Sequence, residues 1–239
     1  MKWIVSALLL GIGFVVGGWF VGHGFESGHN ARYVTVKGLA ERDVKADLAL
    51  WPIRFVEAGN DLAQVQGKIQ QDDAAVTAFL QRHKLDAGAI AFRRLDVTDR
   101  AAQAYGSNQY PTRFIIARTL MVRSKDVDAV AAAAQATGEL VTAGVVLADE
   151  NGPGNGGPAY LFDGLNQLKP AMIAEATKNA RAAAEQFAHD SGSRLGGIRR
   201  ANQGVFQILA RDKAPMLQEE KQVNKTVRVV VTLDYRLVD

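Results

Sequence analysis

The sequence predicts an α+β fold: antiparallel or mixed sheets of about eight strands, three main helices packed on them, and one N-terminal transmembrane helix in front. Three observations carry this. Val227, Val229, Val231, Leu233, Tyr235 and Leu237 alternate with Arg228, Thr232, Asp234 and Arg236, the period of a half-buried strand. Leu62, Val65, Ile69, Val76, Phe79 and Leu80 recur at helical steps. From Trp3 to Gly22 there are twenty residues without a charge.

A helix of that length spans roughly 30 Å, the thickness of a hydrocarbon core. Lys2 precedes it and Glu26 follows, so the positive-inside tendency puts the N-terminus in the cytoplasm. Trp3 and Trp19 lie near its two ends, where interfacial aromatics are favoured. The rival reading is a cleaved signal peptide, which has a shorter apolar core and a small-x-small cleavage site. After Val21 the chain reads Gly22-His23-Gly24-Phe25-Glu26, with no A-x-A pattern, which favours a permanent anchor. Gly13/Gly17 and Gly18/Gly22 have the spacing that lets helix backbones approach closely. Trp3, Gly13, Gly17, Gly18, Trp19 and Gly22 are therefore the candidate anchor and helix-packing residues. Residues 1–22 are the anchor (or an uncleaved signal), 23–31 a polar tether, and 32–239 the folded domain. His23 and His29 in the tether read as linker residues rather than a metal pair.

Tyr33-Val34-Thr35-Val36-Lys37 alternates as a first strand. A second runs from about Lys45 to Glu57. Its apolar phase changes from Ala46, Leu48 and Leu50 to Trp51, Ile53 and Phe55, which predicts a bulge near Trp51-Pro52. Pro52 lacks an N–H and favours an edge or bulge. Asn60-Asp61 opens a helix to about His83; Asp72 interrupts its apolar stripe and is expected at the margin, and His83 suits the C-terminal dipole. Residues 89–104 and 112–123 read as strands joined through 105–108. Ser124 is the expected cap of a second helix, with Asp126 and Asp128 in its first turn, a stripe of Val127, Val130, Ala134 and Val141, and Gly144 as its stop. Val145-Leu147 and Tyr160-Phe162 are short strands around the Gly/Pro-rich stretch 150–158. A long helix covers about Pro170 to Asp190, with Pro170 in its first turn and a broad face of Met172, Ile173, Ala176, Ala180, Ala183, Ala184, Phe187 and Ala188. Gly192 fits a left-handed C-terminal cap. Residues 195–210 and 223–237 supply the last strands.

Composition excludes more than it assigns. Hydrophobic types make up 48% of the chain, enough for a sizeable core. The net charge is +3, from 28 basic and 25 acidic residues, with no basic stripe interleaved with aromatics, so nucleic acid is not an expected partner. Cysteine is absent, and four scattered histidines leave few zinc ligands. Gly152, Gly154 and Gly157 match G-x-G-x-x-G, but Pro158 and a strand follow where a dinucleotide site needs a helix. His189-Asp190-Ser191 invites a triad, yet helix end and cap explain all three. Asp72-Asp73 and Asp126 with Asp128 read as solvated faces or first-turn charges. No catalytic, cofactor-binding or metal-binding residue is assigned.

Residues 33–58 resemble the opening of the SIMPL-domain family of bacterial envelope proteins: V-x-V-x-G, a short polar stretch, an Asp-Ala-type pair, then a long strand. Residues 159–208 resemble the family's signature helix, with its A-x-x-x-A-R-x-x-A-x-x-x-A cadence, glycine stop and following strand. The closing VRVVVTLDYRL agrees, so the resemblance covers about residues 32–238. It implies an exported or envelope-bound protein without established catalytic residues; some relatives are stress-linked and others form rings. The expectation is a single-pass protein of the bacterial inner membrane, its main domain periplasmic (or free in the periplasm after cleavage), homo-oligomeric and non-catalytic, with a structural or stress-protective role. The alternatives are a binding module for a small molecule or an unfolded envelope protein, rimmed by loops 150–158 and 105–111, and an uncharacterised hydrolase.

Overall fold

The computed structural model describes residues 11, 13, 17–19, 32–102, 111–148, 156–213 and 217–239, apart from the side chain of Phe92. Its strands are β1 (Tyr33–Lys45), β2 (Leu48–Gly59), β3 (Ile90–Asp99), β4 (Phe114–Ser124), β5 (Ala159–Leu161), β6 (Arg194–Gln203), β7 (Gln207–Ala210) and β8 (Asn224–Val238). Its helices are α1 (Leu62–Arg82), α2 (Val127–Gln135), α3 (Gly138–Thr142) and α4 (Leu165–Asp190). One four-stranded sheet has the order β1-β8-β6 with β7 also on β8; the other runs β3-β4-β2-β5. The expected α+β class and strand number agree with this.

The chain divides into two units. The first holds Met1–Glu41, Lys169–Gln207 and Arg228–Asp239; the second holds Arg42–Leu168 and Ile208–Val227.

In the first unit the alternation of β8 does what its sequence predicts: Val229, Val231, Leu233 and Tyr235 are buried, with part-exposed residues between them. β1 lies beside it in antiparallel sense, since Thr35 Oγ1 donates to Asp234 (2.8 Å) while Glu41 faces Arg228 (3.6 Å). β6 pairs on the other side of β8 with two register shifts between Leu195 and Arg200. Residues Met172, Ala176, Ala180, Ala184 and Ala188 of α4 are buried in steps of four. This face is narrower than the sequence suggested: Ala183 and Ile173 are half-buried and Phe187 is 58% exposed. The narrowing follows from how close α4 comes to β1. A Cβ placed on Gly38 would lie 1.9 Å from the Ala176 carbonyl oxygen and 2.8 Å from the Ala180 Cβ, so only hydrogen at Gly38 and methyl groups on the helix fit. Asn179 Nδ2 adds a hydrogen bond to the Leu39 carbonyl (2.8 Å). The helix ends as expected at Gly192, whose φ of +66° is the left-handed cap, with Ser193 N–H donating to Ala188.

In the second unit β2 is the spine. Its pairing with β4 runs without a slip from Ala49 opposite Ser124 to Gly59 opposite Phe114, so the bulge expected near Trp51-Pro52 is not there. The apolar phase changes because β1 ends at Lys45 and a new strand starts at Leu48, where Leu48 and Ala49 are both buried. From there the inward residues are Ala49, Trp51, Ile53 and Phe55. Pro52 is on this inner strand, opposite Met121 of β4, and among the described residues its other side has no partner between Leu50 and Arg54, where its missing N–H costs nothing. α1 is capped by Asp61, whose side chain accepts from Gln64 N–H at 2.9 Å, and it buries Val65, Ile69, Val76, Phe79 and Leu80 in the core shared with β2 and β4.

Three local expectations are corrected. The residue that caps α2 is Asp126, accepting from Ala129 N–H at 3.0 Å; Ser124 stands two residues earlier and accepts from Asp126 N–H. The expected continuous helix to Gly144 breaks at Ala136-Thr137, where Thr137 Oγ1 donates back to the Ala134 carbonyl. The break changes the phase, so Leu140 is buried and Val141, expected in the stripe, is 62% exposed. Pro170 lies inside α4 rather than at its start, because the helix begins five residues earlier at Leu165. Just before it, Asp47 accepts from the backbone N–H groups of Asp163 (2.7 Å) and Gly164 (2.8 Å), a side-chain anchor for this helix entry. Gly144 is a helix stop as expected, with a φ of +88°.

Candidate functional site

Of the residues singled out in the N-terminal segment, Trp3 and Gly22 lie outside the described residues. Gly13, Gly17, Gly18 and Trp19 are helical and exposed, and a Cβ on any of these three glycines would meet nothing within 4 Å. Among the described residues no helix is long and apolar enough to cross a membrane. Most of residues 3–22 fall outside that set.

The densest chemistry lies where α1 crosses the sheet of the second unit. Glu57 continues the inward series of β2 and is only 6% exposed. Asp72, one turn beyond Lys68 on α1, is also 6% exposed, against the expectation that it lies at the margin of the stripe. Lys68 donates to both Glu57 oxygens, at 2.7 and 2.8 Å. Its stem spans from the helix surface, so its ammonium stays half in water while Glu57 is covered. The hydrogen bond that Lys68 donates to Glu57 holds the Lys68 pKa above the usual lysine value. No group among the described residues donates to the buried Asp72 Oδ2. Burial, then the Glu57 charge, push the Asp72 pKa up to about 6. Next to it Asp73, expected on a solvated face, bridges Arg118 of β4 (3.0 Å) and Arg93 of β3 (2.6 Å).

Several other polar residues have structural occupations. Lys225 is fully buried and donates to the Glu219 carbonyl (2.8 Å) and to the Glu219 carboxylate. Asp128 pairs with Lys45. His83 closes α1, its ring 4.6 Å from that of Phe79, and Arg82 and His83 both reach Glu139, at 3.1 and 3.4 Å. His189 is exposed and 3.3 Å from Asp190, while Ser191 Oγ donates to the Ala188 carbonyl, so the cap reading of this trio agrees with the geometry.

A cleft of about 260 Å³ opens on the β2 edge, lined by Trp51, Pro52, Ile53, Arg54, Thr137 and Leu147 among others. Its cause is local. β5 covers β2 only at Leu48–Leu50, and the next cross-strand bonds are Ala148 N–H to Arg54 O (2.9 Å) and Val56 N–H to Val146 O (3.0 Å). By strand alternation the nitrogen of Pro52 faces the same edge and has no hydrogen to give, so pairing lapses there. Gly156 and Gly157 form the opposite rim, their carbonyls near Lys221 Nζ (3.3 and 3.5 Å). Gly157 leads into β5, not a helix, which removes the dinucleotide-type context from this glycine stretch; Gly152 and Gly154 lie outside the described residues.

Sequence reasoning named Pro52 as an edge residue but missed the acid pair. The signal was present: Asp72 falls at i+3 from Ile69 and i−4 from Val76, inside the apolar stripe, and Glu57 occupies the phase of Phe55 and Ile53.

Two antiparallel sheets, one notched by glycine against an alanine-faced helix and the other bearing a helix through the Lys68–Glu57 and Asp73–arginine pairs, define an α+β fold. The chain belongs to the SIMPL family, described as a protein of unknown function (DUF541), whose sequence model matches residues 34–235. No curated protein matches the chain.

Proposed function

We propose that this chain is a non-catalytic envelope protein, tethered to the inner membrane by residues 3–22, whose periplasmic domain acts as an assembled structural or stress-protective scaffold. The observation that supports assembly is the outer edge of the second sheet. Among the described strands β3 is at the edge, and it presents Leu95 and Val97 at 48% and 53% exposure. They stand opposite Arg118 and Ile116, on the face that α1 covers further in. An unpaired strand edge with adjacent uncovered apolar side chains is a ready surface for a second chain.

The test is the mass of the full-length protein in mild detergent. The wild type is expected to run as a multiple of the single chain across dilution. Replacing Leu95 and Val97 together by lysine is expected to shift it to the monomer while the circular-dichroism spectrum stays unchanged. A wild-type chain that is monomeric at every concentration defeats the scaffold reading.

A further inference from the structure

We propose that Glu57 and Asp72 form a buried proton-binding pair that seats α1 on its sheet under acidic conditions and loosens it as the surroundings become neutral. Both residues are only 6% exposed, and the Lys68 ammonium that binds Glu57 comes from one helical turn before Asp72, so the two carboxyl groups share one covered patch between α1 and β2. Two carboxylates in one covered patch repel, whereas a proton on one of them removes that repulsion. Geometry says which residue holds the proton. Both Glu57 oxygens already accept from Lys68, which fixes Glu57 as the ionised partner. Asp72 Oδ2 has no donor among the described residues, and protonation turns that orphaned acceptor into a donor.

The charged groups around the pair come from each element packed there. Lys68 and Asp73 lie on α1 itself, Glu57 on β2, Arg118 on β4 and Arg93 on β3; from α3, Glu139 meets only the far end of α1, at Arg82 and His83. Both arginines are engaged by Asp73, so neither is left to neutralise a second charge on the pair. Folding raises the Asp72 pKa from 3.8 to about 6. Its stabilising contribution is therefore fully present below the unfolded value and is lost as pH rises through about 6.

The experiment is urea unfolding of the full-length chain in mild detergent, as a function of pH, for the wild type and Asp72→Asn. Asparagine keeps the shape without a titratable proton. From about pH 4 to about pH 8 the wild-type unfolding constant is expected to rise roughly tenfold to a hundredfold relative to Asp72→Asn. Parallel profiles for the two proteins would overturn the proposal. Carboxyl-carbon NMR of the wild type gives a second reading that needs no variant. A midpoint for Asp72 near 6 supports the pair, and one near the ordinary aspartate value refutes it.

Discussion

Gly38→Ala is expected to destabilise the full-length chain by about 3 kcal/mol or more, although a strand interior ordinarily gains from the change. The added methyl would sit 1.9 Å from the Ala176 carbonyl oxygen and 2.6 Å from the Ala180 nitrogen. Both atoms are backbone, so no side-chain rotation relieves the overlap. β1 and α4 must separate instead, which also strains the Asn179 hydrogen bond to Leu39. Gly67→Ala is the matched control, because a Cβ there meets nothing within 4 Å. On the exposed side of α1 it is expected to stabilise by about 0.5–1 kcal/mol. Urea midpoints of the two variants should therefore move in opposite directions, and a Gly38→Ala protein as stable as the wild type would mean that strand and helix are not in this contact.

Phe55→Ala is expected to cost about 3–5 kcal/mol, the range for emptying an aromatic site in a packed core. Phe55 is fully buried on the inner strand of its sheet, paired with Arg118 on one side and bridged to Leu147 on the other. The neighbours that would have to collapse into the void belong to hydrogen-bonded strands, which limits their relaxation. Phe187→Ala is the contrast. Phe187 is also part of an apolar pattern in the sequence, but it is mostly exposed and its removal is expected to change stability by less than about 0.5 kcal/mol. Thermal or urea unfolding of the pair measures directly how far helical periodicity misleads on α4.

That contrast shows what could and could not be read from the chain. Periodicity located β8 and α1, because one covered face leaves a regular apolar register whatever it is covered by. Local backbone chemistry located the ends: Asp61 as a cap, and Gly144 and Gly192 as left-handed stops, since these depend on neighbours within a few residues. Contacts between distant segments were not legible. The alanines of α4 spelled a broad apolar face, and only the approach of Gly38 narrows it to every fourth residue. The phase change at residues 48–51 looked like a bulge because the ladder cannot be seen from one strand; it is the junction of two strands. Asp72 looked solvated because a charged residue in an apolar stripe is usually tolerated at its margin. Its partner Glu57 lies on another element fifteen positions earlier, and neither residue announces the other. The cleft beside Pro52 was half legible: proline foretold a lapse in pairing, but which segments would frame it depended on where β5 ends and Leu147 returns.

Residues 3–22 are proposed to hold the SIMPL domain on the outer side of the inner membrane. Protease added to intact spheroplasts carrying the full-length protein tests this placement most directly. The domain is expected to be digested from outside while a short fragment containing residues 3–22 stays in the membrane pellet. A domain that survives in intact spheroplasts and is cut only after lysis would contradict it.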